Sequence, residues 1–279
     1  MKKFNVGIQL YGVREAMAAD FEGTLKALRD MGYDYVEFAG YYGKSSEEIK
    51  NILDELGLKC VSVHQVLDFF GEDPQGAVDY LKGFGVKYVI VPWYDKDKLA
   101  GTPDWDKTVA DFNEKAELFA KNGMVLGYHN HDFEFETVDG RYIHDYIMES
   151  VPEGKIFPEL DTCWVHYAGI DPADKIRQFA GKVPVVHLKD FTCKQLGGGP
   201  VYDLIGTKGD TAVKASKEDN GFEFRPLGMG RQDFASILAA CEESGTETVI
   251  VEQDKTYGGM SELEAARISR DYLKNTFGI

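Results

Sequence analysis

Five segments of this 279-residue chain close on an imidazole or a carboxylate after a hydrophobic or mixed run. They are Val61-Ser62-Val63-His64, Gly127-Tyr128-His129-Asn130-His131, Phe157-Pro158-Glu159-Leu160-Asp161, Val183 to Asp190 with His187 at its centre, and Val249-Ile250-Val251-Glu252. A short run rich in β-branched residues reads as a buried strand, so each segment delivers a polar group to a strand exit. One such group has ordinary structural uses, as a helix cap, a satisfied rim histidine or an ion-pair partner. Asp161, His187 and Glu252 at successive exits of one rim point instead to a divalent metal site, because imidazole nitrogen and carboxylate oxygen suit Mn, Mg, Zn or Co.

The fourth ligand has several candidates in Tyr128 to Glu136. His129 is nearest the strand end and is the one preferred, and on an extended segment His131 points the same way. Glu134 is placed to reach back from the following loop, and Glu159 lies two residues before Asp161 on the same face. A buried Glu159 must meet a cation, a protonated neighbour or a hydrogen-bond donor. A metal there would act on a carbonyl as a Lewis acid and stabilise an enediolate. Glu252 or His129 would then serve as base, with His64 or Glu134 returning the proton. Gln9, Tyr11, Glu37 and Trp93 would line the same cup as substrate contacts, giving a polar site with aromatic faces suited to a sugar or polyol. Lys189 is a further substrate contact, polarising a carbonyl or holding a phosphate, or else a solvated lysine paired with Asp190.

The elements that position these residues alternate along the chain. Strands are expected over Phe4–Leu10, Tyr35–Phe38, Lys59–His64, Tyr88–Pro92, Met124–His129, Ile156–Asp161, Val183–Leu188 and Thr248–Glu252. Helices are expected over Phe21–Met31, Ser46–Leu56, Pro74–Phe84, Asp104–Lys121, Arg141–Ser150, Pro172–Ala180, Asp233–Ser244 and Glu262–Asn275, several closed by glycine. Eight strands alternating with eight helices specify an α/β fold, a single (β/α)8 TIM barrel over residues 1–279, with its chemistry at the carboxyl ends of the strands. The connection over about 191–231 is long for a compact domain and reads as a lid, a binding loop or a mobile segment. Its Gly197-Gly198-Gly199-Pro200 run is read as flexibility, because neither a helix start nor a Gly-Lys-Ser/Thr sequence follows to cradle phosphate. Tyr202 and Phe222 in this stretch are read as exposed aromatics of a lid or interface, with a homo-oligomer as one outcome.

The 47 acidic and 31 basic residues leave a net charge of -16. That balance disfavours nucleic acid and anionic membrane surfaces as partners. Cys60, Cys163, Cys193 and Cys241 are widely spaced without a C-x-x-C pair, as expected of reduced thiols in a cytoplasmic protein. Neither a signal peptide nor a membrane span is apparent.

The chain resembles the xylose isomerase-like barrel superfamily, also called the sugar phosphate isomerase/epimerase or AP endonuclease family 2. The resemblance rests on Gly7-Ile8-Gln9-Leu10-Tyr11, Val36 to Gly43, Tyr128 to Phe135, Leu160-Asp161-Thr162-Cys163-Trp164, His187-Leu188-Lys189-Asp190 and Val251-Glu252-Gln253-Asp254. Ketose 3-epimerases of this superfamily hold a metal with Glu, Asp, His and Glu from strands five to eight, and their two glutamates exchange a proton with the sugar. Asp161, His187 and Glu252 match the last three. The first glutamate has no match, since strand five offers Gly127, Tyr128 and His129, and Trp164 breaks the Asp-x-x-His pattern. The His-rich fifth strand is closer to the inosose-dehydratase and keto-sugar-lyase branches, which implies proton abstraction beside a carbonyl followed by elimination. The readings carried forward are a metal-dependent isomerase or epimerase, a dehydratase or lyase on the same enediolate, and a non-catalytic sugar-binding or accessory subunit.

Overall fold

A computed structural model describes residues 4–198 and 219–279. Eight parallel strands close a barrel: β1 (Asn5–Gln9), β2 (Tyr35–Phe38), β3 (Lys59–His64), β4 (Tyr88–Val91), β5 (Val125–His129), β6 (Ile156–Asp161), β7 (Val185–Leu188) and β8 (Thr248–Val251). They run in sequence order around the ring, and β8 pairs with β1 to close it. Each strand passes to the next through helix, the arrangement that parallel pairing requires.

The residues that start and stop these helices are local. Ser45 and Glu48 form a reciprocal capping box ahead of the Ser46–Leu56 helix, and Gly57 ends it in the left-handed region at φ 66°. The outer faces of the strands and the apolar stripes of the helices share one core that includes Leu25, Leu28, Val36, Val63, Val89, Phe112, Leu126 and Leu160.

Side chains alternate across each strand, so every second residue enters the barrel. Tyr88, Ile90, Phe157, Val185 and Ile250 form a separate apolar plug inside it. Two residues further along stand Glu159 and His187 on their strands and Glu252 just past the end of β8, carried by the same period onto the next layer. Glycine makes the plug possible on β5, where a Cβ on Gly127 would meet Phe157 at 2.8 Å and Ile90 at 2.9 Å. Register then levels the polar layer: Gln9 pairs with Glu37, His129 with Glu159, and Asp161 with His187.

Several boundaries differ from expectation. The strand over Thr248–Glu252 ends at Val251, and the helix over Arg141–Ser150 is confined to Ile143–Glu149 because Arg141–Tyr142 pairs with Thr137–Val138. Two helices were not legible as such, Arg14–Ala19 and Thr162–Tyr167. The described part of the 191–231 connection is built rather than extended, for Asp190–Thr192 pairs antiparallel with Glu223–Arg225. Phe222 is buried, contrary to its reading as an exposed aromatic. It stacks on Trp164 with ring centroids 5.6 Å apart, in a satellite core with Cys163, Tyr167, Phe191 and Phe224. Tyr202 and Gly199-Pro200 lie outside the described residues. The four cysteines carry free thiols, and no described helix is long and apolar enough to cross a membrane.

Candidate metal centre and active-site cup

Among the described residues, the carboxyl ends of β5 to β8 bring His129, Asp161, His187 and Glu252 together, with one donor atom of each within 4.8 Å of the others. His187 Nδ1 is 3.0 Å from Glu252 Oε2, while His129 Nε2 is 3.6 Å from Asp161 Oδ2 and 3.9 Å from Glu252 Oε2. All four side chains are buried. Asp161 divides its carboxylate between two tasks. Oδ1 accepts the backbone N–H groups of Cys163 and Trp164 and caps the Thr162–Tyr167 helix, whereas Oδ2 is buried and accepts no hydrogen bond among the described residues.

The donor chemistry fits a divalent cation. Two nitrogens and two oxygens at these separations suit the bond lengths of Zn or its neighbours, and a buried oxygen that accepts no hydrogen bond and meets an ammonium only at 3.3 Å leaves room for a cation. The charges agree with this. Burial, opposed by the Lys189 ammonium, pushes the Asp161 carboxyl up to about 7. Burial also lowers His129 to about 4, leaving it a neutral imidazole. Burial works against a charge on His187, yet Glu159, Glu37 and Glu252 together hold its pKa well above the ordinary value. Such an excess of carboxylates favours positive charge at the centre of the group.

A second layer lies beneath. Glu159 Oε2 is 2.7 Å from His64 Nε2 and 3.1 Å from both His129 Nδ1 and His187 Nε2. Glu37 Oε1 accepts from Gln9 Nε2 at 2.7 Å and lies 2.8 Å from His187 Nε2, while its Oε2 accepts from the Ser62 hydroxyl.

Above the four donors opens a cup of about 320 Å³ lined by Tyr11, His64, Trp93, His129, His131, Lys189, Glu252 and Asp254, among others. Of the substrate contacts expected from sequence, Tyr11, Trp93 and Lys189 therefore reach the cup. Gln9 and Glu37 do not line it; they are fully buried and hold each other and His187 from below. Glu134, expected as an acid–base group, is likewise fully buried and absent from the cup lining. It ties Tyr128 Oη to its Oε1 at 2.8 Å and the His131 N–H to its Oε2 at 2.7 Å. Its role as a loop carboxylate reaching back is thus spent on strand β5 itself.

Lys189 is neither solvated nor paired with Asp190. It is 1% exposed, and its ammonium lies 2.8 Å from Asp254 Oδ1, 3.1 Å from Glu252 Oε2 and 3.3 Å from Asp161 Oδ2. The indole of Trp164 and the ring of Phe224 stand 5.2 and 5.0 Å away. Asp190 instead accepts the backbone N–H groups of Phe191, Gly228, Gly230 and Gln232. Asp254 escaped the sequence-based choice of site residues, although its spacing of two from Glu252 on an extended segment was the available signal.

Fold and site together define a (β/α)8 barrel with a mixed imidazole–carboxylate centre at the carboxyl ends of its strands. The chain belongs to the xylose isomerase-like TIM barrel family, whose profile matches residues 25–276. It is 22% identical over 281 residues to an inosose dehydratase of Geobacillus thermodenitrificans, covering 93% of this chain and 90% of that protein. It is 24% identical over 284 residues to the rhizopine catabolism protein MocC of Rhizobium meliloti, covering 89% and 81%. Among solved structures, a sugar phosphate isomerase/epimerase of Parabacteroides distasonis superposes with a TM-score of 0.74 at 20% identity, covering 98% and 94%. The IOLI protein with a bound zinc atom superposes with a TM-score of 0.70 at 19% identity, covering 99% and 100%.

Proposed function

We propose that this protein removes a proton beside the carbonyl of a polyhydroxylated ketone, a keto sugar or keto cyclitol, and then expels the β-oxygen substituent. The observation that carries this reading is the convergence of His129, Asp161, His187 and Glu252 under a cup whose wall holds the Lys189 ammonium between two carboxylates, Glu252 at 3.1 Å and Asp254 at 2.8 Å. A divalent ion held by those four donors would supply Lewis acidity at the ketone oxygen and an adjacent hydroxyl. His187 and Lys189 engage Glu252 through Oε2, which leaves Oε1 to take the proton from carbon. Lys189 gives a proton to the departing β-oxygen, so that a hydroxyl leaves as water and the carbon–carbon double bond forms from the enediolate electrons. Return of the proton from Glu252 to Lys189 across their contact restores both groups. Tyr11 and Trp93 supply faces against which a ring can lie.

The names of the curated relatives support elimination, and so does the fifth strand, which brings imidazoles rather than a second carboxylate to the cup wall. Isomerisation or epimerisation is the second reading. His64 on β3 lines the cup as well as Glu252 beyond β8, so a proton taken by one can be replaced by the other. Incubating the Mn-supplemented protein with an inosose or a 3-keto sugar in heavy water separates the two. Elimination gives a product lighter by one water, whereas isomerisation loses no water and replaces a carbon-bound hydrogen by deuterium. Substrates recovered with neither change overturn both.

A further inference from the structure

We infer that Glu159 is a positioning residue that fixes which nitrogen of His129 and which nitrogen of His187 is left for a cation. The inference rests on the metal reading for its consequence, though not for its geometry. Strand β6 sends Glu159 inward one layer below Asp161, where it is fully buried and absent from the cup lining. Substrate in the cup would not touch it.

One of its oxygens, Oε2, faces three imidazole nitrogens: His64 Nε2 at 2.7 Å, His129 Nδ1 at 3.1 Å and His187 Nε2 at 3.1 Å. An ionised carboxylate has only lone pairs to offer, so a nitrogen bonded to it must carry the hydrogen. A neutral imidazole has one N–H. His129 with its hydrogen on Nδ1 therefore presents a bare Nε2, the atom that lies 3.6 Å from Asp161 Oδ2. His187 meets a carboxylate at each nitrogen, Glu159 at Nε2 and Glu252 Oε2 3.0 Å from Nδ1, so both nitrogens carry hydrogen in the metal-free protein and the hydrogen a cation displaces is the one on Nδ1. Glu37 reinforces the hydrogen on Nε2 at 2.8 Å. The two rings thus turn opposite nitrogens toward the cation, and one acidic side chain sets both.

The same inventory argues against the competing cluster of His64, His129, Glu159 and His187, whose donor atoms also lie within 4.8 Å of one another. An ion there would need the lower nitrogens bare. The hydrogens would then sit on the upper nitrogens, against Asp161 Oδ2 and Glu252 Oε2, and the upper site would be lost. With the ion in the upper site each histidine donates below, to Glu159 Oε2, and ligates above.

The experiment uses histidine labelled with nitrogen-15 in the intact protein. In the metal-free wild type, nitrogen NMR should show His129 hydrogenated at Nδ1. After loading with cadmium, one-bond cadmium–nitrogen couplings should appear at Nε2 of His129 and Nδ1 of His187. Glu159→Gln, whose amide also donates, should mix the His129 tautomers and weaken Mn binding by about 10- to 100-fold in calorimetry. Cadmium coupling to the opposite nitrogens, or an unchanged Mn affinity in a folded Glu159→Gln protein, overturns the inference. If neither metal binds the wild type, the metal reading of the site fails by itself. The His129 tautomer in the metal-free protein then still decides the matter for Glu159, a hydrogen on Nε2 overturning it. The wild-type measurements stand even where the variant does not fold.

Discussion

The Lys189 ammonium lies 3.3 Å from Asp161 Oδ2, the buried oxygen that also faces His129 across the candidate metal centre. The ammonium and a divalent ion in the candidate centre would therefore share Asp161 and Glu252. Removing the ammonium leaves buried carboxylates without their countercharge, a change that typically costs about 3–5 kcal/mol. A bound ion would restore part of that. Lys189→Met should be destabilised by this amount without metal and should gain more from added Mn than the wild type does. A ligand at a hundred times its dissociation constant contributes about 2.7 kcal/mol. Thermal unfolding with and without Mn measures both effects, and equal gains in the two proteins would sink the shared-carboxylate account.

The two oxygens of Asp161 permit a separation of folding from metal binding. Asp161→Asn can keep the Oδ1 cap on Cys163 and Trp164 while placing an NH2 where Oδ2 stood. Asp161→Ala loses the cap as well, worth about 1 kcal/mol. Metal retention and turnover should vanish in both variants and in His187→Ala, while Asp161→Asn melts above Asp161→Ala. Elemental analysis and calorimetry provide the check. An active, metal-free variant at either position would refute the ligand assignment.

The residues most legible in the sequence are those fixed by short-range periodicity. His129, Asp161, His187 and Glu252 each close a run on one strand, and a closed barrel leaves such positions one place to go, the carboxyl rim. Depth within the barrel was not legible. Gln9 and Glu37 stand at strand exits like the others, yet their pairing by register and by hydrogen bond holds them beneath the cup. Partners far apart in sequence were equally hidden. Lys189 meets Asp254 rather than its neighbour Asp190, and Phe222 is buried by Trp164. The Thr162–Tyr167 helix is hidden in the sequence because its cap, Asp161, is also the residue that closes strand β6 at the rim.

Glu134 should leave a signature in stability rather than in catalysis. Burial, only partly opposed by the hydrogen bonds from Tyr128 and His131, pushes its carboxyl up to about 8. The ordinary value is 4.5. The folded state thus holds a proton more tightly than the unfolded state does. This contribution is complete below about pH 4.5, diminishes as pH rises, and is lost by about pH 8, a change on the order of 2–5 kcal/mol. Glu134→Gln, an isostere of the neutral form, should therefore gain stability relative to wild type across that window. Paired denaturant titrations from pH 5 to pH 8 test it, and a difference independent of pH would show that Glu134 is ionised throughout.

Asp190 fastens the return of the long connection to the rim. Its Oδ2 accepts Gly228 N–H at 3.0 Å and Gly230 N–H at 2.9 Å, and its Oδ1 accepts Phe191 N–H at 2.9 Å and Gln232 N–H at 3.2 Å. The glycine at 230 is required by closeness, since a Cβ there would stand 2.1 Å from Asp190 Oδ1. Asp190→Asn must turn an NH2 toward two N–H donors whichever way the amide sits, a loss on the order of 2–4 kcal/mol. That loss falls on a segment attached through its own satellite core, not on the barrel, so local opening is the expected result. Amide exchange at Gly228, Gly230 and Gln232 should accelerate by about 30- to 1,000-fold in Asp190→Asn while the barrel strands keep their protection. Gly230→Ala should do the same by displacing the carboxylate. Loss of protection in β7 and β8 to the same extent would mean that the connection and the barrel open as one unit, and that Asp190 supports the whole rim.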